Sequence, residues 1–367
     1  MRRIRIGIIT IHATDNYGAV IQAFAFKTVC EKYGDAFILD YRSEYLAKNL
    51  SYISFPSSFR RLLRFFKDLL RIRSRRITLK RFEEFINDEL NLQNFQKTDF
   101  DESRFDIYVS GSDQIWNPKC VSACNKIDGT YFFDFVVNKP KASYASSIGS
   151  YQYSKDEERI VTKLLSDYKA ISVREKNTST YLSELLSRNV KCLLDPTLLL
   201  SLEEYQEIIH SGFTPSRQRD YILVYSIQYT NTLKRMIENA KNCYPNFEIV
   251  VLEQNPWDFF EGDETIRTAG PREFLKLFSD AKAILTDSFH GVCFSLVFKK
   301  PFLSALPKHH PNRIVSLLSL VGESDRLVSD EESNYGGMLE SIPRTDNLKK
   351  LREISFQYLK VLFETTV

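Results

Sequence analysis

The sequence lacks any apolar run of about 18 residues, the length that a membrane-spanning helix needs. It also lacks a secretory leader pattern, because the apolar stretch near the start reaches Asp15 without a small-residue cleavage site. We therefore expect that stretch to be a first strand. With 43% hydrophobic and 26% charged residues among 367, the composition excludes collagen, coiled coil and global disorder. We expect a cytoplasmic protein of about two domains.

The chain has no large excess of either charge, since 50 Lys and Arg residues face 47 Asp and Glu residues. The net charge of +3 excludes a protein that coats nucleic acid. Residues 60–81, however, hold ten basic residues and one Asp, a local charge of +9. Leu and Phe alternate with these basic residues at helical spacing, which suits a helix lying on an anionic membrane. A helix that packs its apolar face on the protein fits the segment equally well.

Metal-binding and disulfide patterns are also missing. The six cysteines are scattered, and Cys120 and Cys124 lack the second pair that a structural zinc site requires. The adjacent His309 and His310 do not make a metal site either. We expect reduced thiols, as in a cytosolic protein, and no metal.

Short apolar strands that alternate with helical stretches indicate an α/β fold. Strand candidates at 4–12 and 36–41 flank a helical stretch at 19–33, the arrangement of a parallel βαβ unit. Further strand candidates follow at 105–110, 142–146, 170–173 and 191–194. After a turn-rich stretch at 200–219 the pattern restarts, with strands at 221–226, 248–253, 283–286 and 301–304 and helices at 231–243, 272–279 and 291–298.

This pattern predicts two Rossmann-like, doubly wound domains that face a cleft. The predicted boundaries are 1–205 for the N-terminal domain, with a basic helical insertion at about 57–92, and 206–345 for the C-terminal domain. Residues 346–367 are predicted to form a closing helix that can pack back on the N-terminal domain. Ligands of open α/β sheets bind at the carboxyl ends of the strands, so the active site is expected in the cleft.

Two polar clusters follow predicted strands of the N-terminal domain. The first forms either a ligand-binding helix start or a plain helix cap. The second can grip a sugar through hydrogen bonds and an apolar ring face, or it is an ordinary strand exit with a buried Trp. The first cluster comprises Asp15, Asn16, Tyr17, Gly18 and Gln22, and the second Ser112, Asp113, Gln114 and Trp116.

An arginine follows a later strand of the same domain. The planar fork of Arg174 suits phosphate or carboxylate, although a salt bridge to Glu175 or a helix cap explains it as well. Asp195 also follows a strand, but Asp before Pro commonly starts a turn, so we interpret it as structural.

The strongest cluster lies in the C-terminal domain, between a predicted strand and an apolar helix. Asp287, Ser288, His290 and Gly291 occupy this turn, where the helix N-terminus attracts anions and a histidine can serve as acid, base or phosphate donor. Basic residues follow the next strand. Together these features predict an anion pocket. The downstream residues that could contribute to it are Lys308, His310 and Arg313.

The segments TIHATDNYGAVIQAFA, DIYVSGSDQIWNPK, ISVREKNTSTYL, LLDPTLLL and ILTDSFHGVCFSLVFKKPF, taken together and in this order, resemble the polysaccharide pyruvyl transferase family over about Ile6 to Gly322. The resemblance implies a two-domain fold like that of the GT-B glycosyltransferases. It implies transfer of pyruvate from phosphoenolpyruvate to a saccharide acceptor as a cyclic ketal, with release of phosphate. No metal or organic cofactor is implied, and the acceptor is expected to be a cell-surface polysaccharide or its lipid-linked precursor.

These implications assign roles to the clusters. Phosphoenolpyruvate is expected at Arg174, Ser288, His290, Gly291, Lys308, His310 and Arg313, with His290 as general acid or phosphate clamp. The acceptor is expected at Asn16, Tyr17, Gly18, Gln22, Ser112, Asp113, Gln114 and Trp116, and hydroxyl activation at Asp15, Asp113 or Asp287.

Two other functions remain open. A glycosyltransferase that uses a nucleotide sugar would share the architecture, and it would need an acidic residue for the ribose, for which Glu323 is a weak candidate. A non-catalytic carbohydrate-binding protein would bind sugar without releasing phosphate.

Overall fold

The computed structural model describes residues 2–47, 59–210, 219–253, 260–307, 311–329 and 338–366. They fold into two compact units. The first contains the described residues of 1–50, 84–200 and 349–367, and the second contains those of 51–83 and 201–348.

The first unit is built on a six-stranded parallel sheet in the order β3-β2-β1-β4-β5-β6, which is that of a doubly wound Rossmann fold. A small parallel sheet pairs β7 with β8. The strands are β1 Ile4–Ile9, β2 Gly34–Leu39, β3 Leu92–Gln93, β4 Ile107–Ser110, β5 Lys141–Ser143, β6 Tyr168–Ala170, β7 Ser172–Val173 and β8 Lys191–Cys192. The helices are α1 Tyr17–Glu31, α2 Glu44–Ala47, α3 Phe59–Glu89, of which only residues 84–89 belong to this unit, α4 Pro118–Val121, α5 Lys155–Leu165 and α6 Lys176–Leu186.

The second unit repeats this topology with the parallel order β11-β10-β9-β12-β13-β14. Its strands are β9 Tyr221–Tyr225, β10 Glu248–Leu252, β11 Glu264–Ile266, β12 Ala283–Thr286, β13 Phe302–Ala305 and β14 Leu327–Val328. Its helices are α7 Leu202–His210, α8 Asn231–Cys243, α9 Pro271–Asp280, α10 Phe289–Val297 and α11 Asn312–Val321, and α12 Asp346–Glu364 closes the chain.

The central strands explain why these sequences form sheets. All five residues of β9 (YILVY) and all four of β12 (AILT) are buried, as expected for parallel strands that are covered on both faces. In the first unit Gly7 allows β1 to pass close to the Phe105 ring, because a Cβ there would lie 3.0 Å from two ring atoms. Both domains are therefore Rossmann-like, and the predicted fold class is confirmed.

The strand and helix boundaries differ from the predictions in a few places. β1 ends at Ile9 because Thr10–His12 leave the strand and engage in side-chain hydrogen bonds. The predicted strand at 170–173 is divided between β6 and β7, which belong to different sheets. The edge strands β3, β11 and β14 are only two or three residues long, too short to give a periodic signal.

The basic insertion forms one helix, α3, with 31 residues. Residues 59–83 of this helix belong to the second unit, whereas the sequence placed the insertion in the N-terminal domain. Thr78 Oγ1 donates to Arg267 O at 3.0 Å, and Arg81 Nη1 donates to Thr268 O at 2.8 Å. The contacts of a helix, and not its position in the chain, determine which sheet it packs on. The hydrogen bonds to Arg267 and Thr268 therefore assign this part of α3 to the second unit.

The membrane-facing surface predicted for residues 60–81 falls largely on side chains outside the described part of the structure, because the description of α3 side chains begins at Ile72. Among the described residues, no helix combines the length and the apolar character that crossing a membrane would take.

The closing helix α12 packs on the first unit from Lys349 onward. Tyr358 donates from its hydroxyl to Ser143 O at 2.8 Å, and the rings of Tyr33 and Phe363 lie 5.3 Å apart. The chain therefore returns to the unit in which it began.

Candidate functional site

The carboxyl edge of the first sheet carries a connected set of polar side chains. Thr10, directly after β1, donates from Oγ1 to Ser112 O at 2.9 Å. Gln22 on α1 donates from Nε2 to Thr10 Oγ1 at 2.8 Å and lies 3.1 Å from Ile11 O. Thr10, Gln22 and Ser112 are fully buried. These hydrogen bonds join the loop after β1 to α1 and to the loop after β4.

The first predicted acceptor cluster surrounds the start of α1. Asn16 caps this helix and accepts from Ala19 N at 3.1 Å, with an exposed side chain, while Asp15 beside it is half-buried. Tyr17 and Gly18 form the buried first turn. Asp15 and Asn16 are therefore the members of this cluster that a solvent-borne sugar can reach, whereas Tyr17 and Gln22 are buried.

The second predicted acceptor cluster follows β4. Asp113 has a φ of 71°, in the left-handed region that side chains rarely adopt, and its Oδ1 accepts from Gln114 N at 2.8 Å. Asp113 and Gln114 are both half-buried. Trp116 is 1% exposed, stacks on Phe132 at 5.1 Å and donates to Tyr131 O. Because its ring has no exposed face, we leave Trp116 out of the proposed sugar site.

Arg174 is enclosed by carboxylates. Its Nη1 donates to Asp195 Oδ2 at 2.8 Å, and its Nε lies 3.2 Å from Glu175 Oε1. Asp113 Oδ1 is 3.8 Å from Nη2. Burial alone would lower the pKa of Arg174, but Glu175, Asp195 and Asp113 outweigh it and raise this pKa. The structure thus contains the salt bridge to Glu175 that the sequence analysis named as an alternative. Binding of phosphoenolpyruvate by Arg174 stays a prediction.

Asp195 links this ion pair to the sheet edge. Its Oδ2 lies 3.1 Å from Ser112 Oγ, and its Oδ1 accepts from Thr197 N at 3.0 Å. Since Ser112 also bonds Thr10, one hydrogen-bonded network runs from β1 across β4 to the loops after β7 and β8. Asp195 is structural, as the sequence indicated, but it does more than start a turn.

His12 and Asp40 form a pair that the sequence analysis missed. His12 Nε2 lies 3.0 Å from Asp40 Oδ1, and His12 Nδ1 lies 3.1 Å from Thr10 O. The hydrogen bond from His12 lowers the pKa of Asp40 to about 2, against the opposing effect of burial and with help from Arg42. The position of Asp40, as the first residue after β2, could have marked it as a candidate site residue.

In the second unit Asp287 directly follows β12. Its Oδ1 accepts from Ile227 N at 2.7 Å, and its Oδ2 accepts from Ser226 Oγ at 2.7 Å and from Gln228 N at 3.2 Å. Burial raises the pKa of the Asp287 carboxyl, although these hydrogen bonds act to lower it. Both oxygens thus hold the loop after β9, an arrangement that fits an orienting role better than the predicted catalytic one.

The start of α10 forms the predicted anion-binding turn. Ser288 caps this helix, with Oγ accepting from Gly291 N at 3.3 Å, and His290 in the first turn is 7% exposed. A Cβ on Gly291 would lie 2.1 Å from Thr286 Oγ1, so only glycine lets the helix pack against the end of β12. The positive end of the helix dipole lies at His290.

One downstream basic residue is placed beside this turn. The Arg313 guanidinium lies over the Phe289 ring at 5.9 Å, next in sequence to His290. Lys308 and His310 lie outside the described residues, so their predicted role in donor binding remains a prediction.

The two doubly wound domains give this chain the fold class of the GT-B proteins. UGT89C1 from Arabidopsis thaliana, solved with UDP-L-rhamnose, superposes with a TM-score of 0.50 at 11% identity, covering 100% of this chain and 99% of that chain. UDP-N-acetylglucosamine 2-epimerase from Rickettsia bellii gives 0.50 at 10% identity, with 100% and 97% covered. At such identities the likeness shows the fold alone.

The sequence model of the family described as polysaccharide pyruvyl transferase matches residues 16–307. The chain belongs to this family, which confirms the resemblance seen in the sequence and indicates a transferase that acts on a saccharide. A comparison with curated proteins finds no significant match.

Proposed function

We propose that this protein transfers pyruvate from phosphoenolpyruvate to a sugar of a cell-surface polysaccharide or its lipid-linked precursor, forming a cyclic ketal and releasing phosphate. The observation that carries the proposal is the family match over residues 16–307, which includes the loops after β4 and β12 that carry Asp113 and His290.

The reaction balances without an oxidant. We propose that it uses no organic cofactor and no metal. One sugar hydroxyl attacks C2 of phosphoenolpyruvate while C3 gains a proton, which gives a tetrahedral phosphoketal. A second hydroxyl then attacks C2, the bond between C2 and the phosphate oxygen breaks, and phosphate leaves. Of the two hydroxyl protons, one equivalent ends on C3 and the other on phosphate or solvent.

The start of α10 supports the donor half of this proposal. His290 lies at the positive end of the helix, and Ser288 and Gly291 shape the turn around it. A cationic or proton-bearing imidazole there can clamp the phosphate or protonate C3, and both roles remain open. Arg313, beside Phe289, adds a guanidinium suited to phosphate or carboxylate.

The edge of the first sheet supports the acceptor half. Asp15 and Asp113 are partly accessible carboxylates in the loops after β1 and β4, so either can activate a sugar hydroxyl as a general base. Asn16 and Gln114 present amide groups beside them, and amides both donate and accept hydrogen bonds as sugars require.

The nucleotide-sugar alternative loses its candidate residue. Glu323 is 1% exposed, and its carboxylate is bonded by Arg326 and by the backbone and side chain of Arg344. A carboxylate held in this way cannot accept from a ribose hydroxyl without breaking a buried ion pair.

The test is to incubate the full chain with phosphoenolpyruvate and lipid-linked oligosaccharides, and to record phosphate release and product mass. We expect phosphate to appear in step with a product heavier than the acceptor by one pyruvate less one water, in the presence of a chelator. Transfer from UDP-sugars instead would establish a glycosyltransferase, and sugar binding without any product would establish a carbohydrate-binding protein.

We further propose that residues 60–81 hold the enzyme at the anionic inner face of the cytoplasmic membrane, where a lipid-linked acceptor would lie. Replacing the ten basic residues of this segment by Gln should abolish salt-sensitive binding to phosphatidylglycerol vesicles, since each contributes about 1 kcal/mol near such a surface. Co-sedimentation at low and high salt measures this. Unchanged vesicle binding by the neutralised chain would show that the segment does not bind the membrane and only packs on the protein.

A further inference from the structure

The residues that follow the three central strands of the first sheet lie side by side. β1 and β2 pair with Ile8 opposite Ile38, and β1 and β4 pair with Ile9 opposite Ser110. Asp40, the first residue after β2, therefore lies at the same sheet edge as the loops of both predicted acceptor clusters. In dinucleotide-binding Rossmann folds, an acidic residue in the corresponding region binds ribose hydroxyls.

Asp40 is held from one side only. His12 Nε2 and Arg42 Nε both contact Oδ1, at 3.0 Å and 2.7 Å. Within the described ranges, no residue makes a hydrogen bond to Oδ2. The Asp40 side chain is 26% exposed, so this second oxygen can be approached by a solute.

His12 fixes the direction of that carboxylate. The imidazole is fully buried, and its Nδ1 and Nε2 face the Thr10 carbonyl and the Asp40 carboxylate. Burying such a pair is costly and adds little stability compared with apolar side chains of the same size. Its effect is to hold Asp40 in one orientation and to join it, through Thr10, to Ser112 in the acceptor cluster.

We propose that Asp40 Oδ2 accepts a hydrogen bond from a hydroxyl of the acceptor sugar, and that His12 is its positioning residue. The site takes a neutral polyhydroxyl ligand, because a carboxylate repels both the phosphate and the carboxylate of phosphoenolpyruvate. Arg42, which is 49% exposed beside Asp40, offers the complementary donor to a sugar oxygen. This inference rests on the proposed function, since it concerns the acceptor of that reaction.

The test uses Asp40→Asn in the full chain, with a panel of p-nitrophenyl glycosides as acceptors. If the amide oxygen stays on His12, an NH2 group replaces the accepting oxygen and the sugar bond is lost. We expect the KM for the glycoside to rise about 10- to 100-fold, the scale of one charged hydrogen bond. The KM for phosphoenolpyruvate should stay unchanged. His12→Gln should raise the glycoside KM in the same direction.

Asp35→Asn is the matched control. It makes the same chemical change near the amino end of the same strand, where Asp35 is paired with Arg3 at 3.0 Å, and it should alter neither KM. Equal effects of the two variants, or no effect of Asp40→Asn, would overturn the inference while leaving the proposed function intact.

Two measurements separate the inference from the function. Glycoside binding is measured by saturation-transfer NMR without phosphoenolpyruvate, so weaker binding by Asp40→Asn supports the site even if the wild type releases no phosphate. In the wild type labelled with 15N-histidine, the His12 resonance should shift on adding glycoside and not on adding phosphoenolpyruvate. An unmoved His12 resonance would overturn the inference even if Asp40→Asn fails to fold, and a wild type that binds no glycoside would overturn it together with the function.

Discussion

Replacing His290 by alanine should lower kcat for phosphate release about 100- to 10,000-fold, the range that positioned acid and base groups supply. The residue lies in the first turn of α10, at the positive end of the helix, and both roles open to it are lost with the imidazole. Alanine is the best helix former, so the helix should persist. Phosphate release and circular dichroism melting measure the two effects.

The matched control is His210→Ala, which removes an exposed histidine at the end of α7 and should leave turnover unchanged. His290→Gln then separates the two roles, because glutamine can donate a hydrogen bond to phosphate but cannot deliver a proton. Substantial activity in His290→Gln indicates a phosphate clamp, and an inactive but folded variant indicates a general acid. Full activity in His290→Ala would refute both.

Replacing Asp195 by alanine should destabilise the first unit by about 3–5 kcal/mol, because Arg174 is left buried with part of its charge compensation missing. The Arg174 side chain is 2% exposed, and that of Asp195 is fully buried. Ser112 and Thr197 lose hydrogen-bond partners at the same time. The free energy of unfolding, measured by urea denaturation of the transition assigned to the first unit, reports the loss.

Three comparisons make this prediction specific. Asp156→Ala removes the carboxylate of an ion pair with Arg159 in which both side chains are more than 80% exposed, and it should have little effect. Asp195→Asn keeps the shape and should cost less than alanine. Adding Arg174→Met and Glu175→Gln to Asp195→Ala should recover much of the loss, because the buried guanidinium and the buried Glu175 carboxylate that pairs with it are then both removed. A triple variant as unstable as Asp195→Ala alone would show that the ion pair is not the cause.

Strands and helices could be located from the sequence, but their partners in the fold could not. The strands β9, β10, β12 and β13 were located to within about one residue, because a strand buried on both faces is a continuous apolar run. The helix α3 was located too, but not the unit that it joins, because its partners Arg267 and Thr268 lie almost 200 residues away in the chain.

The candidate site shows the same division. The turn around His290 is local, so the order of strand, polar turn and apolar helix was enough to find it. The hydrogen bonds that occupy Asp287 were not predictable, since their donors come from a loop about 60 residues away. The burial of Trp116 against Phe132 and of Glu323 against Arg344 was not predictable either, since these partners come from other segments of the chain. The pair of His12 and Asp40 was missed for the same reason, because 28 residues separate two side chains that parallel pairing brings to one edge.

The sequence by itself determined the two parallel sheets, the family and the turn that carries His290, because strand periodicity, helix capping and motif order are local properties of the chain. Only the tertiary structure decided which carboxylates remain available. Asp195 and Asp287 are consumed by buried hydrogen bonds, whereas Asp40 keeps one oxygen toward solvent. The physical reason is that the chemistry of a carboxylate depends on the donors that surround it, and in a doubly wound fold these donors come from strands that are adjacent in the sheet but far apart in the sequence.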